Sequence, residues 1–333
     1  MKIDVAELRK VPFLRADLLG NRSLTLPSYW DGTRWSGWVP QADGSLFEMH
    51  PIDCAEGSYV AREAARPDDM HVPFADFMWR RIGWSDVQHW KNALVEDVHQ
   101  MAASLDKIGF FWTSRASLDE SLRLRRFVAT EIEYLLMLSR SAFDLLQEVM
   151  RAFWRHIELV DPDAQRRKGD LKKSFADMVM HGDRRLSAPE IAETRKIPLQ
   201  LAEAYAAGGD RLEAVRKLRD AIVHQGKDAP VVFVTERGFS IPMDQPVFRD
   251  LPIWTDAYRD NERLVSLRPA LAWMIIAAID TCNVFAQTLG TIFQLPPDIA
   301  PDHHVFIRTV HARALLDTIA VLDGGSPWWS ESG

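Results

Sequence analysis

Only two cysteines occur in the 333-residue sequence, Cys54 and Cys282, far apart and in dissimilar surroundings. Such a pair offers no disulfide framework and points to reduced thiols in a cytoplasmic protein. Positive charge is also scarce: 40 Lys and Arg face 47 Asp and Glu, a formal net charge of −7. Any contact with nucleic acid must therefore come from a local basic surface rather than from a global field. Long apolar runs are missing too. The most apolar stretch, residues 269–279, meets Asp280 before it is long enough to span a bilayer. The opening residues MKIDVAELRK contain acidic groups with no apolar run behind them, so neither a secretory signal nor a membrane segment is expected. There is no P-loop and no G-x-G-x-x-G, which argues against nucleotide-dependent enzymes. Ser139 and Ser141 lack the G-x-S-x-G context of a hydrolase elbow.

What is present suffices for a large core and one or two domains. Residues 1–84 are polar and aromatic. Short extended pieces at residues 23–26, 36–39 and 45–49, with Asp31-Gly32 and Asp43-Gly44 as turns, indicate a small β-containing lobe or an irregular collar held down by tryptophans. From Ser85 the apolar period becomes helical. One helix is expected over residues 85–105, ended by Gly109. The capping-box pair Ser117 and Glu120 opens a second, reaching residue 159, unless a break falls near residues 130–134. Helical pieces follow at residues 171–180, 189–194 and 199–205, then a linker at 206–209 and a helix at 211–225 stopped by Gly226. A β-hairpin is expected at residues 231–243. A long helix with Pro269 in its first turn comes next, and a last helix at residues 304–322. The expected fold is mainly α: a long-helix bundle with a small β-hairpin and a minor mixed N-terminal region. Its division is residues 1–84 and a helical body over 85–325. The wide apolar helix faces favour a homodimer.

Within residues 211–225, Arg219, Asp220 and His224 form a compact ionisable group. Asp220 and His224 are four apart, roughly 40° around a helix, so the carboxylate can orient the imidazole and raise its basicity. Arg219 lies about 140° from His224, so a shared pocket requires a distorted helix end or a second copy of the chain. A histidine that moves a proton and an arginine that neutralises phosphate suffice for phosphodiester cleavage by an RNA 2′-hydroxyl, without metal.

The pattern Arg219-Asp220-x-x-x-His224 resembles the Arg-x4-6-His motif of the HEPN superfamily. Residues 134–146, with Ser139, Ser141, Phe143 and Asp144, look like the early long helix of some members. The resemblance implies a helical, usually dimeric fold and a metal-independent endoribonuclease, with Arg219 and His224 as the catalytic pair and Asp220 orienting them. The alternative is a non-catalytic helical interaction or scaffold protein, in which an Asp–His pair at a helix end is a solvated cap or a structural salt bridge. If RNA is the partner, the basic run Arg166, Arg167, Lys168, Lys172 and Lys173 is the expected funnel; a protein partner is the other candidate. No cofactor and no metal is expected. Asp302, His303, His304 and His311 are read as the start of a helix, with Asp302 as its N-cap or first-turn anion, and no HExxH or cysteine pattern accompanies them.

Overall fold

The computed structural model describes residues 3–20, 22–54, 56–117, 121–223, 230–245 and 248–331, the side chains of 85, 86, 121 and 220–223 left aside. The chain opens with helix α1 (Val5–Leu8), then strands β1 (Ser28–Trp30), β2 (Trp35–Pro40), β3 (Leu46–Met49), β4 (Gly57–Ala61) and β5 (Met70–His71). Helices α2 (Pro73–Arg81), α3 (Ser85–Thr113), α4 (Ser121–His156), α5 (Pro162–Arg167) and α6 (Phe175–Val179) follow. A short ribbon, β6 (Met180–His181) and β7 (Arg184–Arg185), leads to α7 (Ala188–Arg195) and α8 (Leu199–Val223). The chain ends with β8 (Phe233–Val234), β9 (Phe239–Pro242), β10 (Leu264–Ser266), α9 (Arg268–Ile292), β11 (His304–Arg308) and α10 (Ala312–Ile319).

These elements form a mixed α/β fold with three sheets, which corrects the expectation of a mainly α bundle with a minor mixed N-terminal region. The largest sheet has six strands in the order β3-β2-β1-β4-β11-β5; the others are β10-β9-β8 and β6-β7. The decisive element is β11, where a helix was expected. Its sequence HVFIR alternates: Val305 and Ile307 enter apolar clusters on one face, while Phe306 packs with Tyr59 and Trp35 on the other. That period of two, with β-branched and aromatic residues, suits a strand buried on both faces. Asp302 is not an N-cap but holds a left-handed backbone (φ 64) that turns the chain into the strand. β11 pairs antiparallel with β4, from His304↔Ala61 to Arg308↔Gly57, and with β5 at Phe306↔His71. The sheet is therefore completed by a strand from the far end of the chain. The turns at Gly32 and Gly44 have positive φ, and β2 and β3 match the expected extended pieces; residues 23–26 are not a strand.

In the helical body, α9 is the core. Leu271, Met274, Ile275, Ala278, Cys282, Phe285 and Leu289 are buried between α4 and α8. By length and composition α9 could cross a membrane, but 67% of its most apolar window is buried against the rest of the chain. α4 runs 36 residues without a break, and its Val128, Ile132, Leu135, Phe143, Leu146 and Phe153 are buried within the same chain. Ser117 donates to the Ser114 carbonyl, while Glu120 lies outside the described residues.

Two glycine signals act differently from expectation. α3 continues through Gly109 to Thr113 because Trp112 behind it is buried and meets Phe239 edge-on at 6.1 Å. Burying that indole outweighs the cost of about 1 kcal/mol for a mid-helix glycine. The expected linker at residues 206–209 is helical, and α8 is one rod of 25 residues. A Cβ on Gly208 would come within 2.8 Å of both Phe175 and Thr281, so glycine is there to let α8 approach its neighbours. The β8–β9 hairpin forms as expected and gains a third strand, β10.

Candidate functional site

α8 buries Leu212, Val215 and Leu218 on its inner side, which leaves Arg219 at the margin of the packed face. There it borders a groove of about 600 Å³. α4 contributes Arg140, Asp144 and Glu148 to this groove, and the start of α6 contributes Lys173 and Asp177. α6 begins here because Ser174 caps it, its hydroxyl accepting from the Asp177 amide at 3.0 Å. Arg140 reaches Asp144 at 3.2 Å one turn along α4, and Glu148 takes Arg151 at 2.9 Å. Three cations (Arg140, Lys173, Arg219) and three carboxylates (Asp144, Glu148, Asp177) line the groove, so its charges balance and it is not a long basic track.

The other expected site residues are placed as follows. Asp220 is within α8, its side chain outside the description, and His224 lies outside the described residues. Of the basic run, only Lys173 lines the groove with Arg219. Arg166 pairs with Asp163, and Arg167 donates to the Asp163 carbonyl at 3.2 Å, both at the exposed end of α5. Lys168 donates to the Ile157 carbonyl at 2.7 Å and sits 4.8 Å over the Trp154 ring, so its charge is engaged inside the fold. Lys172 is exposed, and its carbonyl accepts from Gln147 at 2.7 Å.

A second group of ionisable residues went unrecognised in the sequence. It sits where β5 ends and α2 begins. Past the last β5 pair, the Val305 amide has no strand to donate to and is taken by Asp76 Oδ1 at 2.9 Å. The other oxygen, Oδ2, faces His71 Nε2 at 3.5 Å and His304 Nδ1 at 3.4 Å. Arg80 holds the same oxygen at 3.2 Å and is itself held by Asp298. Asp76 is 9% exposed at its side chain, whereas the two imidazoles are 39% and 42% exposed. Burial pushes the Asp76 carboxyl up, but the His71 imidazole, the Val305 amide and the Arg80 guanidinium outweigh it and hold it below the usual range. The neighbouring histidines in sequence do not join: His303 faces the Pro301 carbonyl at 3.0 Å, and His311 pairs with Asp106 at 2.8 Å.

On the same sheet face, Arg308 bonds Asp69 through Nε at 2.8 Å and Nη2 at 2.7 Å, and Asp53 at 2.8 Å. The Tyr59 hydroxyl donates to Asp69 at 2.6 Å. Burial raises the Tyr59 phenol and the Asp69 hydrogen bond raises it further; burial also opposes the Asp69 charge, but Arg308 and Tyr59 outweigh it and lower that carboxyl. On the opposite face, Lys91 enters a cavity of about 180 Å³ lined by Trp79, Val95 and Val305. It makes no ion pair among the described residues, and burial lowers its amine to about 8.

No protein-family model, no curated protein and no solved structure matches the chain.

Proposed function

We propose that the chain is a metal-independent endoribonuclease of the HEPN type, with its reaction at the margin of α8. The observation that supports this reading is the position of Arg219. It borders a groove with Lys173 and Arg140, walled by the part of α4 on which the resemblance rests. In the proposed reaction the RNA 2′-oxygen attacks phosphorus as the bond to the 5′-oxygen breaks, leaving a 2′,3′-cyclic phosphate and a free 5′-hydroxyl. His224 takes or supplies the proton, Asp220 orients it, and Arg219 neutralises the charge that develops on the phosphate. A homodimer would bring two such sets to one cleft. The balance of three cations against three carboxylates favours the rival reading, a non-catalytic helical interaction or scaffold protein.

The test is incubation of structured and single-stranded RNAs with wild type, Arg219→Ala and His224→Ala in EDTA, with analysis of the product ends. Cyclic phosphate ends that vanish in both folded variants support the nuclease. If wild type cuts nothing, or all three proteins cut equally, the scaffold reading replaces it.

A further inference from the structure

We propose that His71, Asp76 and His304 form a mononuclear site for a divalent transition-metal ion, with zinc as its occupant. The proposal is independent of the nuclease reading, whose test is run in chelator. It starts from a mismatch. The distances of 3.5 Å and 3.4 Å from Asp76 Oδ2 to the two imidazole nitrogens are long for hydrogen bonds, which cluster at about 2.7–3.2 Å. They match the edge of a metal tetrahedron: bonds of about 2.0–2.1 Å at tetrahedral angles separate neighbouring donors by roughly 3.3–3.4 Å. All three donor atoms lie within 4.8 Å of one another, and the His71–His304 edge shortens by rotation of two partly exposed rings.

The surroundings support a built site. The two histidines come from neighbouring strands of one sheet, and the Val305 amide and the Arg80 guanidinium hold the carboxylate from behind. Arg80 shares Oδ2 with the two imidazoles. Its charge weakens the carboxylate as a donor, yet it also fixes the orientation, as an outer partner of a metal ligand does. Two imidazoles and one carboxylate are the donors of a borderline ion such as zinc, because hard calcium and magnesium take oxygen. Three protein donors leave a fourth position to water, on the solvent side, as in a reactive zinc centre rather than a closed structural one. Phe306, with ring centroids 5.9 Å from His71 and 6.4 Å from His304, supplies an apolar wall.

The test uses the full chain, stripped with chelator and titrated with zinc chloride by calorimetry, alongside His71→Gln and His304→Gln. Both positions are partly exposed, and circular dichroism verifies the fold. Cobalt(II) in place of zinc gives a readout that does not depend on activity. Expected are one zinc per chain, a loss of affinity of at least about ten-fold in each variant, and intense visible cobalt bands of a four-coordinate site. No saturable zinc binding by wild type, or binding unchanged in both variants, overturns the site. Weak six-coordinate cobalt bands overturn the assignment to zinc.

Discussion

At the sheet, the Arg308 side chain is 3% exposed and Asp69 2%, and the guanidinium binds the carboxylate through two nitrogens. In the groove between α4, α6 and α8, Arg140 meets Asp144 through one contact of 3.2 Å, with Asp144 53% exposed. Both are arginine–aspartate pairs, but water decides what each can do. Buried charges of the first kind tie Asp53, Asp69 and Tyr59 to β11, and removal of one partner strands the other in a low-dielectric interior. Water screens the groove charges, so they contribute little to stability.

The largest effect is expected of Arg308→Met, which leaves Asp69 buried without its guanidinium partner. A loss of about 3–5 kcal/mol in urea unfolding is expected; a loss below 1 kcal/mol would show that the sheet pair is no different from a surface pair. The same contrast has a pH signature. Because the folded Asp69 carboxyl is lowered, its contribution is present above the unfolded carboxylate pKa and is lost as pH falls through the folded value. Wild-type stability should therefore drop on acidification below about pH 4, and Asp69→Asn should flatten that limb.

Gly208→Val tests packing in place of charge. The new side chain must displace the ring of Phe175 and the Thr281 methyl, so roughly 1–3 kcal/mol of destabilisation is expected by thermal or urea unfolding. An unchanged midpoint would mean that α8 can retreat. Lys91 is the converse case, a cation with low solvent access and no carboxylate partner among the described residues. Its amine, lowered from 10.5 to about 8, penalises folding at neutral pH, and that penalty fades as pH rises from 8 to 10.5. Lys91→Met should stabilise the protein at pH 7 by roughly 1–2 kcal/mol and by less at pH 10. A gain that does not change with pH would point to packing alone.

The smallest stability effects belong to the groove. Lys173→Ala and Arg140→Ala should each change unfolding by less than about 0.5 kcal/mol, while lowering RNA cleavage if the nuclease reading holds. A large stability loss there would remove the distinction between buried and water-screened charge.

Much of the helical body was legible because its signals are local. The apolar period of α4, Pro269 in the first turn of α9 and the Asp-Gly turns each act within a few residues. The departures fall where a local signal loses to distant packing. Gly109 and Gly208-Gly209 indicate helix ends by propensity, but Trp112, Phe175 and Thr281 reward continuation or close approach. At β11 two local signals conflict: the histidines suggest a helix start, while Val305, Phe306 and Ile307 alternate with the period of a strand. Arg219 and Lys173 can each be picked out of the sequence, but that they border one groove with Arg140 follows only from how α4, α6 and α8 pack.

By itself, then, the sequence determined the long amphipathic helices, the tight turns and the hairpin, because neighbouring residues carry those preferences whatever surrounds them. Tertiary structure alone decided that a C-terminal strand completes an N-terminal sheet, and so that His304 meets His71 and Asp76. Strand pairing joins residues with no sequence spacing to announce them, since the backbone hydrogen bonds that hold β11 between β4 and β5 are indifferent to how far apart in the chain the partners lie.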